Sequence, residues 1–395
     1  MSNLRGLDIN RNYKLSDYLF VFFISSYAFL CCLLYAYSGS TLIDTLILAI
    51  LAVSLVNSFF KRRLVYRWQN YDRMIIILLL FVFFMYLILI RYTNNRGFYM
   101  DYLRGGVICF LYVYLGKDSR INDKIYNLIL WIFSITVVGV ATYFVFFNIG
   151  GIIIDSSYGR EIGKNSFGPL LCYVFIIMFY QMVQNKMMFF KVVAVSMCVF
   201  SFIAICVLRS RTSMVVCLCI LPLLLQKLMT KNFSRFLLYI FVVLFCIFII
   251  DGLFGLNFVN KTVTFLTDAF TVGHERDLTS GREVRNDVAL SIIRDNISYG
   301  NIDLNVQIEW VHNYFLYVLS SWGLIGGFPL LLLYIYLWIY VLKNVLTKPF
   351  ALRTIGYFLM MVPLITSFSE STYPLYPGTT LFVAYFSLGF AINNK

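Results

Sequence analysis

The chain has 395 residues, of which 61% are hydrophobic and only 13% charged, and its formal net charge is +13. A soluble domain carries about twice that share of charged residues, so the composition excludes a water-soluble globular protein. Its apolar runs, each about 20 residues long, are continuous rather than alternating, which selects membrane-spanning helices over a β-barrel.

Twelve spans are predicted in chain order, at 18–37, 41–60, 74–91, 99–116, 125–148, 166–184, 188–208, 212–229, 235–254, 321–342, 353–369 and 378–392. This is an all-α, polytopic helical bundle. It divides into residues 1–254 with nine spans, a large loop at 255–320, and residues 321–395 with the last three spans. The opening "MSNLRGLDINRNYKLSDY" is polar and the first apolar run is long enough to cross a bilayer itself, so no cleaved leader is expected. All 9 cysteines fall inside the apolar runs, which points to helix packing rather than a disulfide framework or a zinc site.

Orientation follows from the basic residues. With the N-terminus cytoplasmic, the outer segments hold Arg91, Arg96, Arg104, Arg160, Arg209, Arg211, Arg276, Arg282, Arg285, Arg294, Lys164 and Lys261, and the inner segments hold the rest of the 32. The large loop then lies outside, which in a bacterium is the periplasmic face. The positive charge is mainly topological, and no nucleic-acid partner is read from it. The outer set is rich in arginine, whose planar fork grips phosphate or carboxylate through two hydrogen bonds.

Three outer stretches concentrate these arginines. "SSYGREIGKNSFGPLL" enters the sixth span with Arg160, Lys164 and Asn165. "VLRSRTSMVV" is a short hairpin holding Arg209 and Arg211, and a helix starting about Thr212 would aim its unpaired N–H groups at an anion. In "TSGREVRNDVALSIIRDN", Ser280 and Glu283 form a capping box, so a helix is expected to start near Gly281. Val284, Val288 and Ile292 would give it an apolar stripe, and Arg282 and Arg285 share a face beside its N-terminus. The bland alternatives are snorkelling arginines in the hairpin and a solvated charged face in the loop helix, the latter weighing more on Arg285 than on Arg282. Arg276 and Arg294 read as ordinary loop charges, and Arg104 pairs with Asp101.

The chain has only 2 histidines. His312 follows Glu309 by three residues and precedes "NYFLYVLSSWG", expected to be a short interfacial helix with Tyr314, Tyr317 and Trp322 at headgroup level. An imidazole there could take a proton from an attacking hydroxyl, with Glu309 or Glu161 as other acceptors. The alternative is an interfacial histidine bonded to a backbone carbonyl. His274, in a polar run, reads as neutral to function.

Taken together, "GREIGKNSFGPLL", "LRSRTSMVV", "TSGREVRNDVALSIIRDNISYGNID" and "HNYFLYVLSSWGLIGGFPLLL" resemble, in their order and spacing, the O-antigen polymerase and O-antigen ligase superfamily of bacterial inner-membrane glycosyltransferases. The resemblance covers about 160–395 and departs at Ser321, where many members carry a glutamate before their glycine. It implies a GT-C-like bundle in the bacterial inner membrane, with the active site facing the periplasm. It also implies a glycan donor linked to undecaprenyl diphosphate. By the same resemblance, Arg211 and Arg282 match the family's functional arginines and His312 its functional histidine. Arg160, Lys164, Asn165, Arg209, Arg285, Glu309 and Asn313 are then expected to bind substrate. Membrane lipids, a chain-length regulator and a flippase are the implied partners.

Transfer from a lipid diphosphate needs a departing dianion stabilised and a hydroxyl deprotonated, which arginines, helix starts and an imidazole supply. The first outer loop, "YSGSTLID", lacks a paired-acid motif, so metal-independent, inverting transfer without a cofactor is expected. The preferred function is repeat-unit polymerisation of O-antigen or a related capsular glycan. A ligase delivering the finished chain to lipid A–core shares the same motifs. A lipid-linked-sugar flippase, the reading from another class, would need charged or broken mid-membrane helices and related halves, which the sequence does not display.

Overall fold

The computed structural model describes residues 18, 20, 22, 24–29, 80–82, 84, 87, 109, 111–118, 120–147, 164–208, 210–228, 282–301, 311–370, 374–375 and 379–393. These are almost entirely helical, in α1 (Asp123–Phe147), α2 (Lys164–Gln184), α3 (Met188–Val207), α4 (Arg211–Leu228), α5 (Arg282–Asp295), α6 (Tyr314–Thr347), α7 (Ile355–Thr366) and α8 (Phe382–Asn393), with a 3-10 turn at Thr379–Leu381 before α8. Helix fragments at 24–29, 80–82 and 111–116 fall within the first, third and fourth expected spans. The second and ninth expected spans lie outside the described residues, as do Arg160, Arg209, His274 and Glu309.

Four helices are long and apolar enough to cross a bilayer: α1 over Asp123–Tyr143, α2 over Phe167–Gln184, α3 and α6. The apolar cores of α4, α7 and α8 are shorter than a full crossing, at Thr212–Lys227, Ile355–Thr366 and Phe382–Ile392. The surface of α6 shows what solvent the bundle is built for. Ile325, Phe328, Leu332, Ile335, Ile339, Leu342 and Leu346 are all exposed, at alternating steps of three and four, and Ile339 reaches 63%. One face of a helix thus presents a continuous apolar stripe outward, which water would penalise and lipid would not.

α2 is apolar all round and accordingly occupies the centre, with Phe167, Leu170 through Phe175 and Ile176 through Phe179 buried. It packs against α1, α3, α4 and α7. Close approach of α8 to its neighbours uses glycine: a Cβ at Gly356 of α7 would meet the Ser387 carbonyl, and one at Gly389 the Val113 carbonyl.

Polar contacts sort the helix ends into two groups. At one end, Gln184 Nε2 donates to the Phe350 carbonyl (3.4 Å), Lys227 Nζ to the Leu346 carbonyl (2.9 Å), and Arg353 pairs with Asp123 (3.2 Å). At the other end, α2 meets α4, where a Cβ at Gly168 would strike the Ser210 and Ser213 hydroxyls. There too, Ser369, just past α7, donates to Thr212 Oγ1 at the start of α4 (3.0 Å). The antiparallel alternation expected from the sequence is therefore present across α2, α3, α4, α6 and α7.

Some expectations are corrected. The short segment expected before the membrane helix is a helix from Tyr314 that meets it at a break at Gly323, and the membrane helix expected at 321–342 runs on to Thr347. Tyr314, Tyr317 and Trp322 are 2%, 5% and 0% exposed, packed into the protein instead of lying in a headgroup belt. In the inner segment "GKDSRINDK", Asp118 and Arg120 are buried as a bidentate pair (2.9 and 2.6 Å), with the guanidinium 3.4 Å from the centre of the Phe20 ring.

Candidate functional site

The second group of helix ends brings together Arg285, His312 and Glu370. α5 starts at Arg282, as the capping sequence implies, but the face it buries differs from the expected one. Val288 is 48% exposed, whereas Ala289 and Ile292 are buried. The inward face therefore runs through Arg285, Ala289, Ile292 and Asn296, at steps of four, three and four. That rotation by one position turns Arg285 inward, away from the solvated face considered for it.

Arg285 Nη1 lies 3.1 Å from His312 Nε2. A guanidinium only donates, so Nε2 accepts and the proton of the neutral ring sits on Nδ1. Nδ1 faces Glu370 Oε2 at 3.6 Å, with the His312 and Glu370 side chains 20% and 13% exposed. Arg285, His312 and Glu370 come from three separate segments. His312 is fixed by its neighbour: Asn313 caps α6, its Oδ1 accepting from the Leu316 N–H (3.1 Å) and its Nδ2 donating to the Phe368 carbonyl (3.3 Å). The Tyr314 N–H donates to the Ser367 carbonyl (2.9 Å). Together these bonds splice the start of α6 to the end of α7 and bring Glu370 to the imidazole.

The contact between Ser369 and Thr212 then places the first turn of α4 beside Glu370. Arg211 opens that helix, Arg282 opens α5 one turn before Arg285, and Lys164 and Asn165 open α2, which abuts α4 through Gly168. The starts of α2, α4, α5 and α6 therefore gather at the end of the bundle that holds His312. The starts of α2, α4 and α5 can offer N–H groups and positive dipole ends to an anion, the physical basis of an oxyanion site, whereas the Tyr314 and Leu316 N–H groups of α6 are taken by Ser367 and Asn313.

A second feature holds α5 against α6. Gly323 (φ 61°) breaks α6, and Gly300 (φ 63°) ends the turn after α5. The Leu324 and Ile325 N–H groups, freed by the break, donate to the Ile297 and Ser298 carbonyls (2.8 and 3.0 Å), and the Asn301 N–H donates to the Ser320 carbonyl (2.8 Å). A Cβ on Gly323 would overlap the Ser298 backbone, and one on Gly300 would lie 2.6 Å from the Gly323 nitrogen.

Sequence reasoning missed Glu370 and this glycine clasp. Glu370 had a signal, being the only acidic residue after Glu309. Asn313, expected to contact substrate, has both ends of its amide bonded within the protein. Tyr299, an aromatic on the same side that could stack on a sugar ring, is exposed, while Tyr158, Trp310, Tyr373 and Tyr376 lie outside the described residues. No protein-family model matches the chain, and no curated protein does.

Proposed function

We propose that the chain is a membrane glycosyltransferase that elongates a glycan carried on undecaprenyl diphosphate, as an O-antigen or capsular repeat-unit polymerase at the periplasmic face of the bacterial inner membrane. The observation that carries this reading is the His312 imidazole held between Glu370 (3.6 Å) and Arg285 (3.1 Å), where four helix starts converge. A base oriented by a carboxylate beside a cationic anion cradle is what inverting transfer from a lipid diphosphate requires.

In the reaction, the acceptor sugar hydroxyl attacks the anomeric carbon of the donor. The new C–O bond forms as the bond from that carbon to the diphosphate oxygen breaks, and the electron pair leaves with undecaprenyl diphosphate. The hydroxyl proton passes to His312, whose imidazolium Glu370 stabilises, while Arg211, Arg282 and the N–H groups of α4 and α5 hold the growing negative charge. Inversion at the anomeric centre follows from single displacement.

The test is the glycan ladder of a deletion strain complemented with variants. Arg211→Ala, Arg282→Ala and His312→Ala are each expected to leave only single repeat units on the lipid core, with protein level unchanged. A deletion that leaves no glycan on the core at all would instead assign the ligase reaction, whose motifs are the same. Normal ladders from all three variants would refute the site.

A further inference from the structure

We infer that Arg285 keeps the His312 base idle until a diphosphate group draws its guanidinium away, so that the donor itself arms the site. This rests on the glycosyl-transfer reading above and adds a regulation to it. The argument starts from an apparent conflict. A base must offer a free lone pair to the hydroxyl, yet the one lone pair of neutral His312 is on Nε2, and Arg285 Nη1 already donates to it at 3.1 Å. Nδ1 cannot substitute, because it carries the proton and faces Glu370. With Arg285 in place, the imidazole is oriented but occupied.

The same contact is a poor final partner for an arginine. A guanidinium bonded to a neutral nitrogen gains less than one bonded to an oxyanion, where the pair is charge-assisted and two-pronged. Arg285 sits one turn after the start of α5, within reach of whatever anion the N–H groups at Arg282 collect. Arrival of a diphosphate there offers Arg285 the stronger partner and vacates Nε2. The swing is confined to the side chain, because the α5 backbone is pinned to α6 through the clasp at Gly300 and Gly323. From Arg285 to the end of α5 at Asp295 and from Tyr314 to Trp322 in α6, helical arms of about 15 Å and about 12 Å lead from the site to the clasp. One arm is held by backbone bonds at its far end and by one side-chain bond at the site, and only the latter is free to exchange.

A base armed by its substrate would keep an idle site from passing protons between hydroxyl groups or water before a donor is bound. The test reads the lone pair directly. Diethylpyrocarbonate acylates an unoccupied imidazole nitrogen, and peptide mass spectrometry separates His312 from His274, which serves as the reagent control. The full-length protein, in nanodiscs of zwitterionic lipid at constant pH, is labelled with and without farnesyl diphosphate. Wild type is expected to label slowly at His312 and about tenfold faster with the diphosphate, the size expected for release of a charge-assisted hydrogen bond. Arg285→Met, which keeps the aliphatic stem, is expected to label fast in both conditions.

Equal rates for wild type and Arg285→Met would overturn the inference. So would a wild-type rate that the diphosphate leaves unchanged or slows, a measurement that does not depend on the variant folding. Fast labelling in phosphatidylglycerol nanodiscs without added diphosphate would make the membrane headgroup the trigger and overturn gating by the donor. Because labelling needs no sugar transfer, the expected pattern in a protein that never extends a glycan would retain the gated imidazole and reject the glycosyltransferase reading.

Discussion

A neutral imidazole has one nitrogen that donates and one that accepts, and at His312 the neighbours decide which is which. Glu370 faces Nδ1 and Arg285 faces Nε2, so loss of either neighbour changes the ring. Glu370→Gln removes the charge that stabilises the imidazolium and is expected to lower turnover by about 10²-fold or more while leaving donor binding nearly unchanged, read as a fall in kcat at constant KM. At the opposite end of the bundle the residue-scale question is stability. Asp118 and Arg120 are buried and bidentate, whereas the Arg353–Asp123 pair is 41% and 47% exposed. Asp118→Asn removes the charge that faces the buried Arg120 guanidinium and should cost about 3 kcal/mol, while Arg353→Ala should stay within about 1 kcal/mol, both measured by denaturation of the purified protein. His312 was legible in the sequence because histidine is rare there and sits where a loop meets an apolar run. Glu370 was not, since its partner is 58 residues away and only the splice of α6 to α7 joins them.

At the scale of elements, the apolar pattern located α1, α2, α3, α4, α7 and α8 to within a few residues and placed a short helix before the break at Gly323, but it misjudged one position of the inward face of α5. In α5, Val288 and Ala289 compete for the inward position. The small residue is buried where the helix packs on α6, while Ile292 of the expected stripe is buried as expected, so the pattern fails at Val288 alone among its described positions. In α6 the break falls at Gly323, where the short segment was expected to end, but the carbonyls of residues 297 and 298 that hold it are distant in sequence and no local reading supplies them. Gly323→Ala should therefore be severe: a non-glycine residue at φ 61° is strained by about 1–3 kcal/mol before its overlap with Ser298 is counted. The expected outcome is loss of glycan extension with α5 cleaved more readily in limited proteolysis. Gly139→Ala, in α1 with open space around its Cα, is expected to be neutral or slightly stabilising in the same assays.

For the whole molecule, the separation of the two ends is the organising fact. One end gathers Lys186, Lys227, Lys348 and Arg353, and the other gathers the helix starts with Arg285, His312 and Glu370. If the positive-inside rule sets the orientation, the His312 end faces the periplasm. Cysteines introduced at the exposed positions Asp287 and Lys186 check this: the first should react with a membrane-impermeant maleimide in spheroplasts, the second only after permeabilisation. A bundle whose proposed catalytic groups, Arg285, His312 and Glu370 among them, sit at one end would suit a reaction between two lipid-anchored substrates, because both keep their chains in the bilayer while their headgroups meet. The most direct measurement of that claim is a transfer assay with the purified protein and a lipid-diphosphate-linked repeat unit, analysed by mass spectrometry. The account predicts products lengthened by whole repeats, one free polyprenyl diphosphate released per bond formed, and neither product from His312→Ala. Intact substrate after incubation with a folded wild-type protein, or equal products from His312→Ala, would contradict it.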